Sequence, residues 1–177
     1  LWGAGPTPGT NLFNDVYIAD GGKIFSYLYT GSTIWQLGTN ALYRDSSAWY
    51  HIVFAVDTTQ ATSSNRLKLY VNGEQITSFS HATYPPQNTE GYINDNIEHR
   101  VGQYFGSGQA EYFNGYLAEY YFIDGAQLTP ASFGATNEKT NQWQPTNPTT
   151  VKQAVTFGKN GFYLPFSNDA LATSFTD

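Results

Sequence analysis

The dipeptide Asn72-Gly73 is the feature that most constrains what this chain can fold into. Asn-Gly readily takes the two positive φ angles of a type I′ turn, whose twist matches that of two antiparallel strands. It stands here between Arg66-Leu67-Lys68-Leu69-Tyr70-Val71 and Glu74-Gln75-Ile76, so the pattern predicts a hairpin. The alternation predicts Leu67, Leu69 and Val71 on a buried face, with Arg66, Lys68 and Tyr70 turned to solvent. Upstream, Trp49-Tyr50-His51-Ile52-Val53-Phe54-Ala55-Val56 is apolar on both faces and reads as a more central strand. These runs make a meander over residues 49–77 that fixes the middle of an antiparallel sheet.

The same texture recurs along the chain. Val16-Tyr17-Ile18-Ala19 and Lys23-Ile24-Phe25-Ser26-Tyr27-Leu28-Tyr29 flank Asp20-Gly21-Gly22, and Thr30-Gly31-Ser32-Thr33 leads into Ile34-Trp35-Gln36-Leu37. Strand texture returns at residues 100–105, breaks at Gly106-Ser107-Gly108, and resumes over residues 112–123. A last strand is expected at residues 161–166. Residues 1–9, with three glycines and two prolines, read as a loop, and residues 136–150 as a surface link. One short helix is expected near residues 129–133, where Thr129 can cap and Pro130 can take the first position. The longest irregular connection is 77–99, where Tyr84-Pro85-Pro86 and Asn94-Asp95-Asn96 oppose ladder pairing. Strands punctuated by turns every roughly 8–12 residues indicate an all-β antiparallel sandwich or barrel.

Composition bounds the function. Aromatic residues make up 17% of the 177 positions and charged ones 12%, a balance that favours pleated sheet over exposed helix. The length suits one domain over residues 1–177. A net charge of −6 with eight Lys plus Arg leaves no basic face for a run of phosphates, so nucleic acid is not an expected partner. No apolar run reaches the roughly 20 residues a spanning helix needs, and membrane insertion is not expected. Cysteine is absent, which removes disulfides, thiolate metal sites and thiol nucleophiles together.

Little of the remaining chemistry is catalytic in pattern. The three histidines, His51, His81 and His99, are too widely spaced for a local metal motif, and His51 reads as a packed or hydrogen-bonded structural histidine. Glycoside hydrolysis uses two carboxyl groups roughly 5–9.5 Å apart. Glu119 shares its strand face with Leu117, Tyr121 and Ile123, so it reads as a structural carboxylate accepting hydrogen bonds from nearby rings. No catalytic residue is assigned. The densest oxygen cluster, Asp95, Asn96 and Glu98 with Asn94, is the place where calcium could bind at a sandwich rim. Aromatic residues flanking the long loop, Tyr84, Tyr92, Tyr104 and Phe105, are the candidates for stacking on sugar rings. Trp49, Asn72 and Gly73 are assigned to the scaffold.

Two stretches resemble the laminin-G-like, concanavalin A-like lectin/glucanase superfamily of jelly-roll sandwiches. One is Trp49-Tyr50-His51-Ile52-Val53 followed by Leu67-Lys68-Leu69-Tyr70-Val71-Asn72-Gly73. The other is Phe113-Asn114-Gly115-Tyr116-Leu117-Ala118-Glu119-Tyr120-Tyr121-Phe122 with Leu128-Thr129. Phe122-Ile123-Asp124-Gly125, Leu128-Thr129-Pro130 and Asn160-Gly161-Phe162-Tyr163-Leu164-Pro165-Phe166 further resemble modules of bacteriophage tail, fibre or capsid-associated proteins. The resemblance implies a non-catalytic, lectin-like adhesion or structural module of a virion protein, extracellular and part of a homo-oligomeric assembly. Its partners would be cell-surface polysaccharide or other virion subunits. A glycan hydrolase or lyase, and a purely architectural decoration module, are the alternatives. Enzymatic members carry a Glu-x-Asp-x-x-Glu type strand from which this sequence departs. Leu1-Trp2-Gly3-Ala4-Gly5 resembles the segment after the family's first strand, so the chain is expected to be an excerpt with strands upstream.

Overall fold

A computed structural model describes residues 1–7, 11–19, 21–106 and 111–167. The chain falls into two compact units, Leu1–Asn114 and Gly115–Asp177. The first contains β1 (Trp2–Gly5), β2 (Leu12–Ile18), β3 (Ile24–Thr30), β4 (Thr33–Thr39), β5 (Ile52–Val56), β6 (Leu67–Val71), β7 (Glu74–Gln75), β8 (Phe79–Thr83) and β9 (Glu98–Val101). Six of these form one antiparallel sheet in the order β8-β4-β3-β2-β1-β9, and the other three form a second in the order β5-β6-β7. The fold is the expected all-β, concanavalin A-like jelly-roll sandwich.

The core lies between the two sheets. Leu28, Trp35 and Leu37 of the large sheet meet Leu67 of the small one, with Phe54 and Val56 packed around them. Ile24 meets Leu69 and Val71, flanked by Ile52 and Tyr50. The one polar demand of the buried indole is met within the same face, where Trp35 Nε1 donates to Ser26 Oγ at 3.1 Å. Asn72 and Gly73 take φ angles of 50° and 86° and place Val71 opposite Glu74, so the expected type I′ hairpin is present. Asn72 is more than a turn residue: its Oδ1 accepts from His51 N, and its own N–H donates to His51 O, both at 2.8 Å.

Several expectations are corrected. Residues 2–5 are not a loop but the strand β1, paired with both β2 and β9 and wholly buried. Its small residues serve close approach: an added Cβ on Gly5 would lie 2.5 Å from the Phe105 ring, and one on Gly3 would lie 2.2 Å from Asp15 Oδ1. The run beginning at Trp49 enters its strand only at Ile52, and β5 pairs only with β6, so it is an edge among the described strands rather than a central one. Trp49 is 66% exposed and does not serve the core, while Tyr70, expected at solvent, is buried. The long connection yields β8, which extends the large sheet beside β4, before becoming irregular over residues 84–97. The turn at Gly106-Ser107-Gly108 lies outside the described residues beyond Gly106, as do Asp20, Pro8 and Gly9.

The second unit contains β10 (Tyr120–Phe122), β11 (Gly134–Asn137), β12 (Gln142–Pro145), α1 (Pro148–Ala154) and β13 (Phe162–Leu164). β10 pairs with β13, and β11 with β12. The long strand expected over residues 112–123 shrinks to a Gln103–Tyr112 bridge and β10, because Glu119 sits at φ 55° and breaks the pleat before Tyr120. Pro130–Ser132 is a 3₁₀ turn with no side-chain cap from Thr129. The segment read as a link over residues 136–150 holds most of the β11–β12 pair and the start of the α-helix, which runs on to Ala154 and is capped by Asn147, whose Oδ1 accepts from Thr149 N at 2.9 Å, with Pro148 in its first turn.

Candidate functional site

Register and alternation sort the large sheet into two faces. Asp15 pairs with Tyr27 and with Gly3, Tyr17 with Phe25, and Phe25 with Gly38, so the face turned away from the core carries Phe13, Asp15, Tyr17, Phe25, Tyr27 and Tyr29. Their rings tile one another. Tyr17 and Phe25 stack at 5.5 Å with planes 13° apart, and Phe25 meets the His81 ring of β8 at 5.6 Å. Phe13 contacts Tyr27, Tyr29 and Tyr104 at 5.4–6.1 Å.

Gly38 explains how Phe25 can lie flat. An added Cβ there would come within 2.4 Å of Phe25 Cε1, so the ring crosses β4 where the missing side chain leaves room. A ring laid along a sheet presents its π-face outward. Hydrogen-bonding groups border it: the exposed His81 and Thr83 on β8, half-buried Gln36 on β4, and the Tyr27 hydroxyl at 2.9 Å from Thr33 Oγ1. Such an arrangement suits a ligand with an apolar flat side and polar edges, which describes a pyranose ring.

Asp15 lies beneath this tiling at 1% exposure. Burial pushes its carboxyl up to about 7, against the opposing pull of the Leu1 amino group and the Phe105 backbone N–H. Neither carboxyl oxygen completes a well-formed hydrogen bond. The Tyr104 hydroxyl is raised to about 12, chiefly by burial and then by the Asp15 charge. A buried acid with such a shift marks a place where the fold bears a cost, but its enclosure keeps it from direct contact with a ligand.

The residues singled out from sequence distribute differently. Phe105 is fully enclosed against Gly3 and Gly5, with the Arg100 guanidinium 5.0 Å from its ring, and so offers no face to a sugar. Tyr84 and Tyr92 pack on the inner core beside Leu28, Trp35 and Leu37. Tyr104 alone of the four joins the outer aromatic face, through Phe13 and Tyr17. The long loop therefore serves largely as a core lid, and Arg66 ties it down by donating from Nη1 to Pro85 O at 2.8 Å.

At the expected calcium position, Asp95 Oδ1 accepts from Asn96 N at 2.8 Å and Glu98 is paired with Arg100. Among the described residues no group of three His, Asp or Glu is placed to hold a metal. His51 is held neutral, its pKa lowered to about 4 by burial. Glu119 is raised by burial, an effect the neighbouring Tyr121 hydroxyl opposes. The aromatic outer face was missed because tyrosines on alternating strand positions read as core in a sequence; Gly38, opposite an aromatic position, was the available signal.

Residues 6–132 match the family model of the concanavalin A-like lectin/glucanases superfamily. That match covers more than half of the chain, and the protein belongs to this superfamily. Membership points to carbohydrate binding or another glycan-related role. Comparison with curated proteins and with solved structures finds no match.

Proposed function

We propose that this protein is a non-catalytic, lectin-like module that takes glycan on the outer face of its six-stranded sheet. The observation that carries the reading is the near-parallel Tyr17–Phe25 pair, its Phe25 ring laid over Gly38, with the His81 ring tilted by 51° at its edge and hydrogen-bonding side chains around it. A non-catalytic role is supported by two carboxylates of this face, since Asp15 is enclosed and Glu98 is paired with Arg100, whereas hydrolysis uses two accessible carboxyl groups flanking the glycosidic bond. A bacteriophage virion setting, extracellular and in a repeated assembly, is supported by the resemblance of residues 122–130 and 160–166 to phage modules. In that setting the module would adhere to cell-surface polysaccharide.

A glycan array probed with the whole chain tests the reading. Binding to at least one glycan is expected, weakened about tenfold or more by Phe25→Ala, in keeping with loss of one aromatic anchor. No reducing ends should be released from the bound glycan. A flat array with retained binding to other virion subunits would replace the reading with an architectural module, and steady release of sugar would replace it with a hydrolase.

A further inference from the structure

We propose that the β4–β5 loop is a second glycan site, with the Trp49 indole as stacking platform for one neutral pyranose ring. The inference deepens the glycan-binding reading and rests on it, but uses none of the outer-face residues. Trp49 is 66% exposed and Leu42 of the same loop 45%. Tyr112 and Tyr116 are also exposed; Tyr112 is pinned too, by Tyr104 N donating to Glu111 O at 3.0 Å and Phe113 N donating to Gly102 O at 2.8 Å, so Trp49 is set apart from it by its larger indole face rather than by its backbone.

Before the indole, Ala48 N donates to Asp45 O at 3.2 Å, closing a turn that Asp45 Oδ1 stabilises by accepting from Ser47 N at 2.9 Å and Ser47 Oγ at 2.6 Å. After it, the Tyr50 hydroxyl accepts from Asp45 N at 3.2 Å, while the Tyr50 ring packs on Tyr43 at 5.4 Å and on the Ile24–Leu69–Val71 core. His51 N is bound by Asn72 Oδ1 at 2.8 Å. The loop base is tied by Tyr43 N donating to Gly22 O at 2.7 Å. An indole held in solvent by an ordered backbone loses little entropy on binding and removes a large apolar face from water.

The polar groups of the same loop set the ligand class. Arg44 lies along the Gly21-Gly22 turn with Nε donating to Gly21 O at 2.7 Å, which leaves its two terminal nitrogens as donors at an exposed position. Asp45 spends Oδ1 on Ser47 and keeps Oδ2 as an acceptor. The Ser47 hydrogen bonds lower its pKa and hold it ionised. One donor fork and one acceptor of opposite charge match the mixed donor and acceptor character of adjacent sugar hydroxyls. Their charges cancel, which favours a neutral ring over an anionic one.

The test uses the whole chain labelled with ¹⁵N, in which four tryptophans give four indole signals, Trp49 being assigned from Trp49→Phe. The probes are the neutral polysaccharides dextran, laminarin and galactomannan. The expected result is a saturable shift of the Trp49 indole with at least one of them, an affinity about tenfold lower in Trp49→Ala, and the same Trp49 shift in Phe25→Ala. At an exposed position Trp49→Ala should leave stability within about 0.5 kcal/mol. A probe that shifts the His81 ring but not Trp49 overturns this site and leaves the outer-face reading standing. The converse upholds this site and overturns the outer face. Silence of both with every probe overturns both, and a Trp49 shift driven by protein concentration alone overturns the site in favour of self-association.

Discussion

The two faces of the six-stranded sheet share one set of backbone hydrogen bonds and are built from different chemistry. The inner face uses Ile24, Leu28, Trp35 and Leu37, with polar atoms closed on one another as in Trp35 with Ser26. The outer face uses Phe13, Tyr17, Phe25, Tyr27 and Tyr29 around one buried acid, Asp15, whose carboxyl oxygens complete no well-formed hydrogen bond. Aliphatic burial stabilises a fold without needing a particular ring orientation. An aromatic tile whose ring needs a glycine beneath it, with a buried carboxyl nearby, costs stability and yields a shaped surface. The difference separates what holds the sandwich together from what it presents.

Substitutions can break that division, the largest effect first. Leu37→Ala on the inner face should cost about 2–5 kcal/mol by thermal or denaturant unfolding and leave glycan affinity unchanged at temperatures where the variant is folded. Asp15→Asn should act through pH. The folded carboxyl titrates near 7 and the unfolded one near 3.8, so the native state holds the extra proton between those values and stability falls as pH rises through that window. At pH 8 the asparagine variant should be more stable by about 2–4 kcal/mol, a gain that disappears near pH 4. Equal melting curves for the two proteins from pH 4 to 8 would refute the buried-acid account.

Smaller effects sharpen the same contrast. Gly38→Val should cost about 1–3 kcal/mol and abolish glycan binding, because the new side chain displaces the Phe25 ring that now lies within 2.4 Å of the Cβ position. Measured stability with retained binding would separate the ring from recognition. His51 has a folded pKa near 4 against an ordinary 6.5, so its contribution is present above 6.5 and is lost as pH falls toward 4. His51→Gln should flatten that acid limb by about 1–2 kcal/mol in a pH series of unfolding curves, less than full burial would give because the ring is partly exposed to solvent.

The sandwich was legible because its signals are local. Asn72-Gly73, Gly21-Gly22 and the Leu67-Leu69-Val71 alternation each fix a turn or a buried face within a few residues; the turns and the buried face hold in the structure, and only the solvent side of the alternation fails, at Tyr70. Strand β1 was hidden because Gly3, Ala4 and Gly5 have the composition of a loop; Gly3 and Gly5 are small to admit Phe105, a contact from far along the chain. Trp49 misled for the opposite reason, since a tryptophan adjoining an apolar run reads as core until the strand is seen to begin at Ile52. Helix α1 carried a readable start in Asn147-Pro148, masked by the Thr- and Gln-rich composition around it. The candidate site was least legible of all. It depends on Tyr17, Phe25 and His81 meeting across three strands, a cross-strand register that no single segment encodes.

The most direct test of this division is the glycan affinity of Phe25→Ala set beside its thermal stability. An outer-face role predicts an affinity loss of about tenfold or more with the sandwich still melting cooperatively. Undiminished affinity in a folded Phe25→Ala protein would contradict it.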